Sequence, residues 1–352
     1  MQMADQAADD AFTSPIPEEI SMSRSIFRQT ALAVLVVLVP MSDALAHCFV
    51  GARFLPATLI ADDPCVADEL SLPTVSAFKN GDMPSAREID ISGEYSKRIT
   101  PFFGVSVADT WTHLSPPGGP NASGFQNLET TFKYQFLTVP ALELVMSAAV
   151  AVEWGNTGAK GVGAESFSTI TPTFFFGKGM GDLPDTVGWL RPFAVTGLIG
   201  YAIPSSSSKT TITIDPDTGD QTFDVERHPQ FAVYGGSLQY SMPYLKSSVI
   251  DLGLPDFINH LIPIVEARFK TPVANNFGTG IGTTGTVNPG VLWVGSYFQV
   301  GVEAIIPINR ASGSAVGVMG QLHFYLDDIF PTSIGRPIFA NNTTPGRPLF
   351  GN

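Results

Sequence analysis

The chain has 352 residues, a formal net charge of −13, 34 glycines, 25 phenylalanines and only 14% charged residues. Soluble domains carry about 25% charge, so the composition points away from an ordinary soluble domain. So acidic a chain also argues against nucleic acid as a partner, because polyanions are held by clustered bases.

Residues 1–21 contain Asp5, Asp9, Asp10, Glu18 and Glu19 and no base, the wrong charge for the start of an export leader. They read as a misassigned or non-native extension. Met22 opens a basic stretch with Arg24 and Arg28, followed by the apolar run 31–39 and by Ala44-Leu45-Ala46, small residues at −3 and −1 of a cleavage site. This is the architecture of a signal peptide over 22–46. The run is short of the ~20 residues that a spanning helix needs. Leu45-Ala46-His47-Cys48 approaches a lipoprotein box, but His47 stands where a small residue is required. Cleavage after Ala46 would expose the amine and imidazole of His47, a possible copper chelate for which the sequence identifies no second histidine partner. Export places the mature chain in an oxidising compartment, where Cys48 and Cys65 are expected to pair and tie down the N-terminal segment, with two free thiols as the alternative. Removing residues 1–46 takes away six acids and two bases, leaving a net charge of about −9.

Residues 47–87 read as a periplasmic or plug-like segment, 88–326 as a β-barrel and 327–352 as a tail or closing strand. Between 127 and 136 the side chains alternate without a break. Leu128, Thr130, Phe132, Tyr134 and Phe136 fall on one side, and Asn127, Glu129, Thr131, Lys133 and Gln135 on the other. Successive strand residues point to opposite faces, so one face is greasy and its reverse polar. The same period marks strands at 88–96, 103–112, 142–154, 165–176, 191–203, 230–242, 261–272, 292–308 and 314–326. Several exceed the five or six residues usual in soluble sheets and suit a tilted membrane crossing.

Short connections are expected near 100–101, 138–140 and 309–313, and long Gly/Pro/Ser-rich ones at 116–123, 155–164, 204–229 and 273–289. Intermediate ones at 177–188 and 243–260 fall on the short side by parity. Short turns on one rim and long loops on the other mark outer-membrane barrels. With both ends on the short rim, a further strand is needed within 66–78 and another within 333–350. The expected fold is therefore an all-β, antiparallel transmembrane barrel of about 12 strands, with 10 as the fallback. Pro73, Pro337 and Pro348 restrict the two end strands to bulges or strand ends. Trp111, Trp154 and Trp293 are expected at the long-loop interface and Trp189 at the other.

With the leader, the Cys48…Cys65 segment containing Asp62-Asp63-Pro64 and 68–73, and the ensuing strands, the chain resembles uncharacterised proteobacterial outer-membrane proteins. In layout it is similar to the transporters grouped with the meta-pathway phenol-degradation barrels. The resemblance covers roughly 47–330. It implies a monomeric barrel that passes small, aromatic or hydrophobic compounds, and it brings no functional residues with it. The chain departs from such barrels at its end, where Phe350 or Phe324 must supply the terminal aromatic.

Candidate lumen residues are Glu88, Asp90, Glu94, Glu129, Lys133, Glu143, Glu153 and Glu303; Glu266, Arg268 and Lys270 share a strand face at period two. Carboxylate rings favour cations, so a modest cation preference is expected of an open pore, with solvated or plug-covered wall residues as the alternative. No HExxH, GxSxG or paired-cysteine metal motif occurs, and no cofactor and no enzymatic activity are expected. His113 with Ser115 is the nearest approach to a nucleophile and base. Asp215, Asp217 and Asp220 form a weak calcium-loop candidate, but Gly219 is out of place for an EF-hand; a hairpin turn is the plainer reading. The expected partners are outer-membrane lipid, the barrel-assembly machinery during insertion and a small solute of unspecified identity. The expected function is a passive pore or small-solute transporter of the outer membrane, with a structural or adhesive barrel whose extracellular loops contact a ligand as its first rival and a barrel enzyme as its second.

Overall fold

The computed structural model describes residues 47–81, 85–214 and 220–339. The extension and leader lie outside these, as do Asp215 and Asp217 of the calcium-loop candidate, Pro348 and Phe350.

Twelve antiparallel strands close into a ring. They are β1 (Glu69–Lys79), β2 (Arg87–Thr100), β3 (Phe103–Ser115), β4 (Glu129–Val139), β5 (Leu144–Glu153) and β6 (Thr169–Gly179). They continue with β7 (Phe193–Pro204), β8 (Gln230–Tyr240), β9 (Leu261–Ala274), β10 (Thr284–Val294), β11 (Phe298–Pro307) and β12 (Ala315–Tyr325). Each pairs with its sequence neighbour, and β12 pairs with β1. Closure leaves no edge, which is the condition for a sheet in hydrocarbon. The alternation has the expected sense: Ile91, Phe132, Phe136, Val150, Ile199 and Val302 point outward and are each at least 40% exposed. Among the described residues no helix is long and apolar enough to cross a membrane.

The expected strand within 66–78 is β1. Pro73 falls in its bulge, where the register to β2 shifts between Ser71 and Thr74, so the missing N–H interrupts no regular ladder. The other added strand is not where the sequence places it. The run 292–308 is two strands, β10 and β11, joined by a turn at 295–297 in which the Gly295 N–H donates to the Phe298 carbonyl at 2.8 Å. Residues 333–339 form no strand, although Ile338 and Phe339 donate to the carbonyls of Arg98 and Ile99.

This moves two features across the barrel. The connection after β11, at 308–314, belongs to the same rim as the long loops at 116–128, 154–168, 205–229 and 275–283. Trp293 pairs with Leu261 at the opposite rim, which carries the turns 101–102, 140–143 and 295–297 and the longer connections 180–192 and 241–260. We call these the loop rim and the turn rim. The loop at 205–229 carries a hairpin, Ser208–Ile214 paired with Gln221–Arg227.

Residues 47–68 lie inside the ring. They enter at the turn rim, rise to an apex at 59–63 and descend to β1, and the Cys48–Cys65 disulfide joins the two limbs. Two apolar clusters hold this plug. Cys48, Val50, Leu55 and Cys65 pack on Val145 and Ala194, and Phe54 packs on Ile262, Ile264, Leu292, Val294 and Tyr325.

Candidate functional site

The plug is held to the wall by charged groups that face inward from different strands. At its apex the Glu266 carboxylate (β9) accepts three successive backbone N–H groups, from Leu59 at 2.8 Å, Ile60 at 2.9 Å and Ala61 at 2.7 Å. Hydrogen bonds to a charged acceptor are about twice as strong as neutral ones. Arg268, two residues along the same face, donates to the Ile60 carbonyl at 3.0 Å. From β4, Lys133 donates to both oxygens of Asp62 at 3.0 Å and to the Asp63 carbonyl at 2.9 Å. Burial pushes the Asp63 carboxyl well above the usual carboxylate range, against the lowering field of Lys133.

Toward the turn rim, Arg53 is fully buried. It donates to Glu143 at 3.0 Å and to the carbonyls of Pro192, at 3.0 Å, and Arg191, and its guanidinium lies 3.6 Å from the Tyr244 ring centroid. A Cβ at Gly179 would lie 2.0 Å from a Glu143 oxygen and 2.6 Å from Arg53 Nε, so only glycine admits this pair. Lower still, Asp68 takes Arg98 at 2.7 Å and also Lys97. His47 meets Asp327 and Asp328, just past β12. Burial acts to lower the His47 imidazole, but the Asp327 and Asp328 carboxylates outweigh it and raise the group to about 9. Burial acts to raise Asp327, and the charge of His47, with that of Arg98, holds it below its usual value.

Above the apex, on the loop-rim side, the lumen encloses about 1050 Å3, with Thr58, Leu59, Ile60 and Asp62 as its floor. Glu94, Glu129 and Glu153 line one side of this vestibule, with Asp109 and Glu165; Arg268 and Lys270 line β9. In a ring of twelve, β9 stands opposite β3, so the two bases face the acidic wall across the lumen.

The structure divides the sequence candidates by depth. Glu94, Glu129 and Glu153 border the vestibule, while Lys133 lies at plug level. Asp90 faces inward nearer the loop rim and accepts from Thr112 at 2.7 Å, and Glu88 shares its face. Glu143 does not line open lumen: it sits in the turn 140–143, is 4% exposed and is covered by Arg53. Glu303 is likewise 1% exposed, leaning over Gly290 toward Glu266; a Cβ at Gly290 would lie 2.5 Å from Glu303 Cγ. His113 lies 3.1 Å from Ser115 Oγ and 2.6 Å from Ser123 Oγ on the loop-rim half of β3. Asp220 directly precedes the return strand of the exposed hairpin. Arg53, Asp62 and the role of Glu266 were missed, because their partners are backbone groups or residues far away in sequence.

No protein-family model matches the chain, and no curated protein matches it. The likeness to phenol-degradation barrels therefore rests on layout alone. Among solved structures the chain is similar to outer-membrane barrels. One is a NanC porin, at 6% identity and a TM-score of 0.40, covering 72% of this chain and 98% of that one. Another is the translocator domain of autotransporter NalP from Neisseria meningitidis, at 8% and 0.37, covering 73% and 86%. A third is LpxR from Salmonella typhimurium, at 12% and 0.37, covering 73% and 99%. These are likenesses of barrel to barrel. The expectation that the chain is not an enzyme is not upheld, since LpxR is among these similar structures.

Proposed function

We propose that the chain is an outer-membrane barrel that takes small polar solutes from the loop rim into the vestibule, and that displacement of the plug controls their passage. The observation that carries this reading is the stacking of a charged lumen cavity of about 1050 Å3 directly on the Glu266-bound apex. A cavity of that size suits a small molecule. The facing acidic and basic walls favour a solute bearing both charges, and the excess of acids supports a modest cation preference.

Liposome swelling with sugars, amino acids and aromatic acids tests the reading. Amino acids are expected to enter fastest, and the aromatic acids test the solutes implied by the phenol-degradation likeness. Equal exclusion of every solute by the Glu266→Ala barrel, whose plug apex has lost its acceptor, together with anion-selective reversal potentials in planar bilayers, would refute it. One observation favours the rival reading of an adhesive barrel. The hairpin at 208–227 presents Ile212, Ile214, Phe223 and Val225 on one face, all more than half exposed.

A further inference from the structure

The backbone nitrogen of His47 is treated by the fold as a ligand. His47 is 4% exposed. Its N lies 2.8 Å from Asp327 Oδ2 and its Nδ1 3.0 Å from Asp327 Oδ1, so a single carboxylate grips both nitrogens. Nε2 reaches Asp328, and the ring packs 4.2 Å from that of Tyr325. Arg98 approaches the same Asp327 Oδ2 at 3.6 Å but is committed to Asp68.

Two observations fit a free amine here better than a peptide nitrogen. First, φ at His47 is +61°, the left-handed region that L-residues other than glycine seldom occupy. That torsion is defined by the preceding carbonyl, and its steric penalty vanishes when no residue precedes. Second, a peptide N–H offers Asp327 one neutral hydrogen bond. An ammonium offers a full charge to a buried carboxylate, the arrangement in which such bonds are strongest. The sequence supplies the means of making that amine, since Ala44 and Ala46 occupy −3 and −1 of a cleavage site.

We propose that the Ala46–His47 bond is the processing site of this chain, and that the liberated His47 ammonium binds Asp327 as the latch fixing the plug to the end of β12. A signal peptidase supplies the catalysis and water the atoms. The hydroxyl adds to the Ala46 carbonyl carbon, the C–N bond breaks, and His47 leaves as an amine that is protonated at neutral pH. The plug therefore locks only after export and cleavage, when the barrel is ready to receive it.

The test has two arms. N-terminal sequencing and intact mass of the protein purified from outer membranes should give His47 as the first residue; any other terminus overturns the proposal. In the second arm, the barrel is refolded with a protease site placed so that cutting leaves His47 first. Its unfolding temperature is read by heat-dependent gel mobility before and after the cut. Cutting should raise it by about 4 °C, and the Asp327→Asn variant should show no rise. A rise of equal size in Asp327→Asn, or none in the unmodified sequence, overturns the latch. Should Asp327→Asn not refold, acetylation of the His47 amine in the cut native sequence provides the same test, and must return the uncut value.

Discussion

Replacing Glu266 by alanine removes the acceptor of three N–H groups at the plug apex. Each hydrogen bond to a charged group is worth roughly 1.5–3 kcal/mol, so the gross loss is about 5–9 kcal/mol. The net loss is smaller. Leu59 and Ile60 border the vestibule, whose water can take their N–H groups, whereas Ala61 is fully buried and its donor is left unsatisfied. Arg268 still holds the Ile60 carbonyl. A net weakening of roughly 2–4 kcal/mol remains, which shifts the balance of seated and displaced apex by about 30- to 1000-fold. In planar bilayers Glu266→Ala is expected to show long-lived conducting levels that the unaltered barrel visits rarely, with faster hydrogen exchange at residues 59–61. Glu266→Gln, which keeps one acceptor oxygen, should fall between them. Conductance and exchange both unchanged in Glu266→Ala would refute the idea that this carboxylate seats the plug.

Arg53→Ala leaves Glu143 buried without its base and is expected to destabilise the barrel by about 3–5 kcal/mol, read as a fall in the denaturant midpoint of refolded protein. Replacing Cys48 and Cys65 together by serine opens a link of sequence separation 17; about 3 kcal/mol of stability should go with it, and the plug should become sensitive to added protease. The His47 contact carries its own pH window. Its folded value of about 9 lies above the ordinary 6.5, so its contribution is complete below pH 6.5 and is lost as pH rises through 9. Asp327 is shifted the opposite way from 3.8, and its contribution is present above pH 3.8 and lost as pH falls through its depressed value. Unfolding temperature should thus hold between about pH 4 and 6.5 and drop on the alkaline side; Asp327→Ala, which leaves only Asp328 on the ring, should diminish that drop, and an unchanged drop would count against the assignment.

Where the outer face is apolar and the inner face polar, the sequence was transparent: β4 alternates apolar with polar residues and was placed with nearly correct ends. Legibility failed where the inner face is dry. Leu292 and Val294 point inward yet are apolar, because Phe54 and Tyr325 cover them. The alternation that separates β10 from β11 is therefore blurred, and the turn at 295–297 passes unseen. Depth is the second quantity that period two does not encode. Glu129 and Glu303 both read as lumen residues, but one borders the vestibule and the other is enclosed beside Glu266. The site itself was only partly readable, since the partners of Glu266 are backbone N–H groups at 59–61, which no side-chain pattern announces.

The link between Cys48 and Cys65 limits the ways in which the barrel can be cleared. A stretch tied into a ring cannot be drawn out end first, as a thread leaves a needle; it must swing or tilt as one body, and the bore at its base must be wide enough to let the whole knot turn. Clearance by unspooling is open only to a reduced chain. The oxidation state of one bond thus selects between two mechanically different exits.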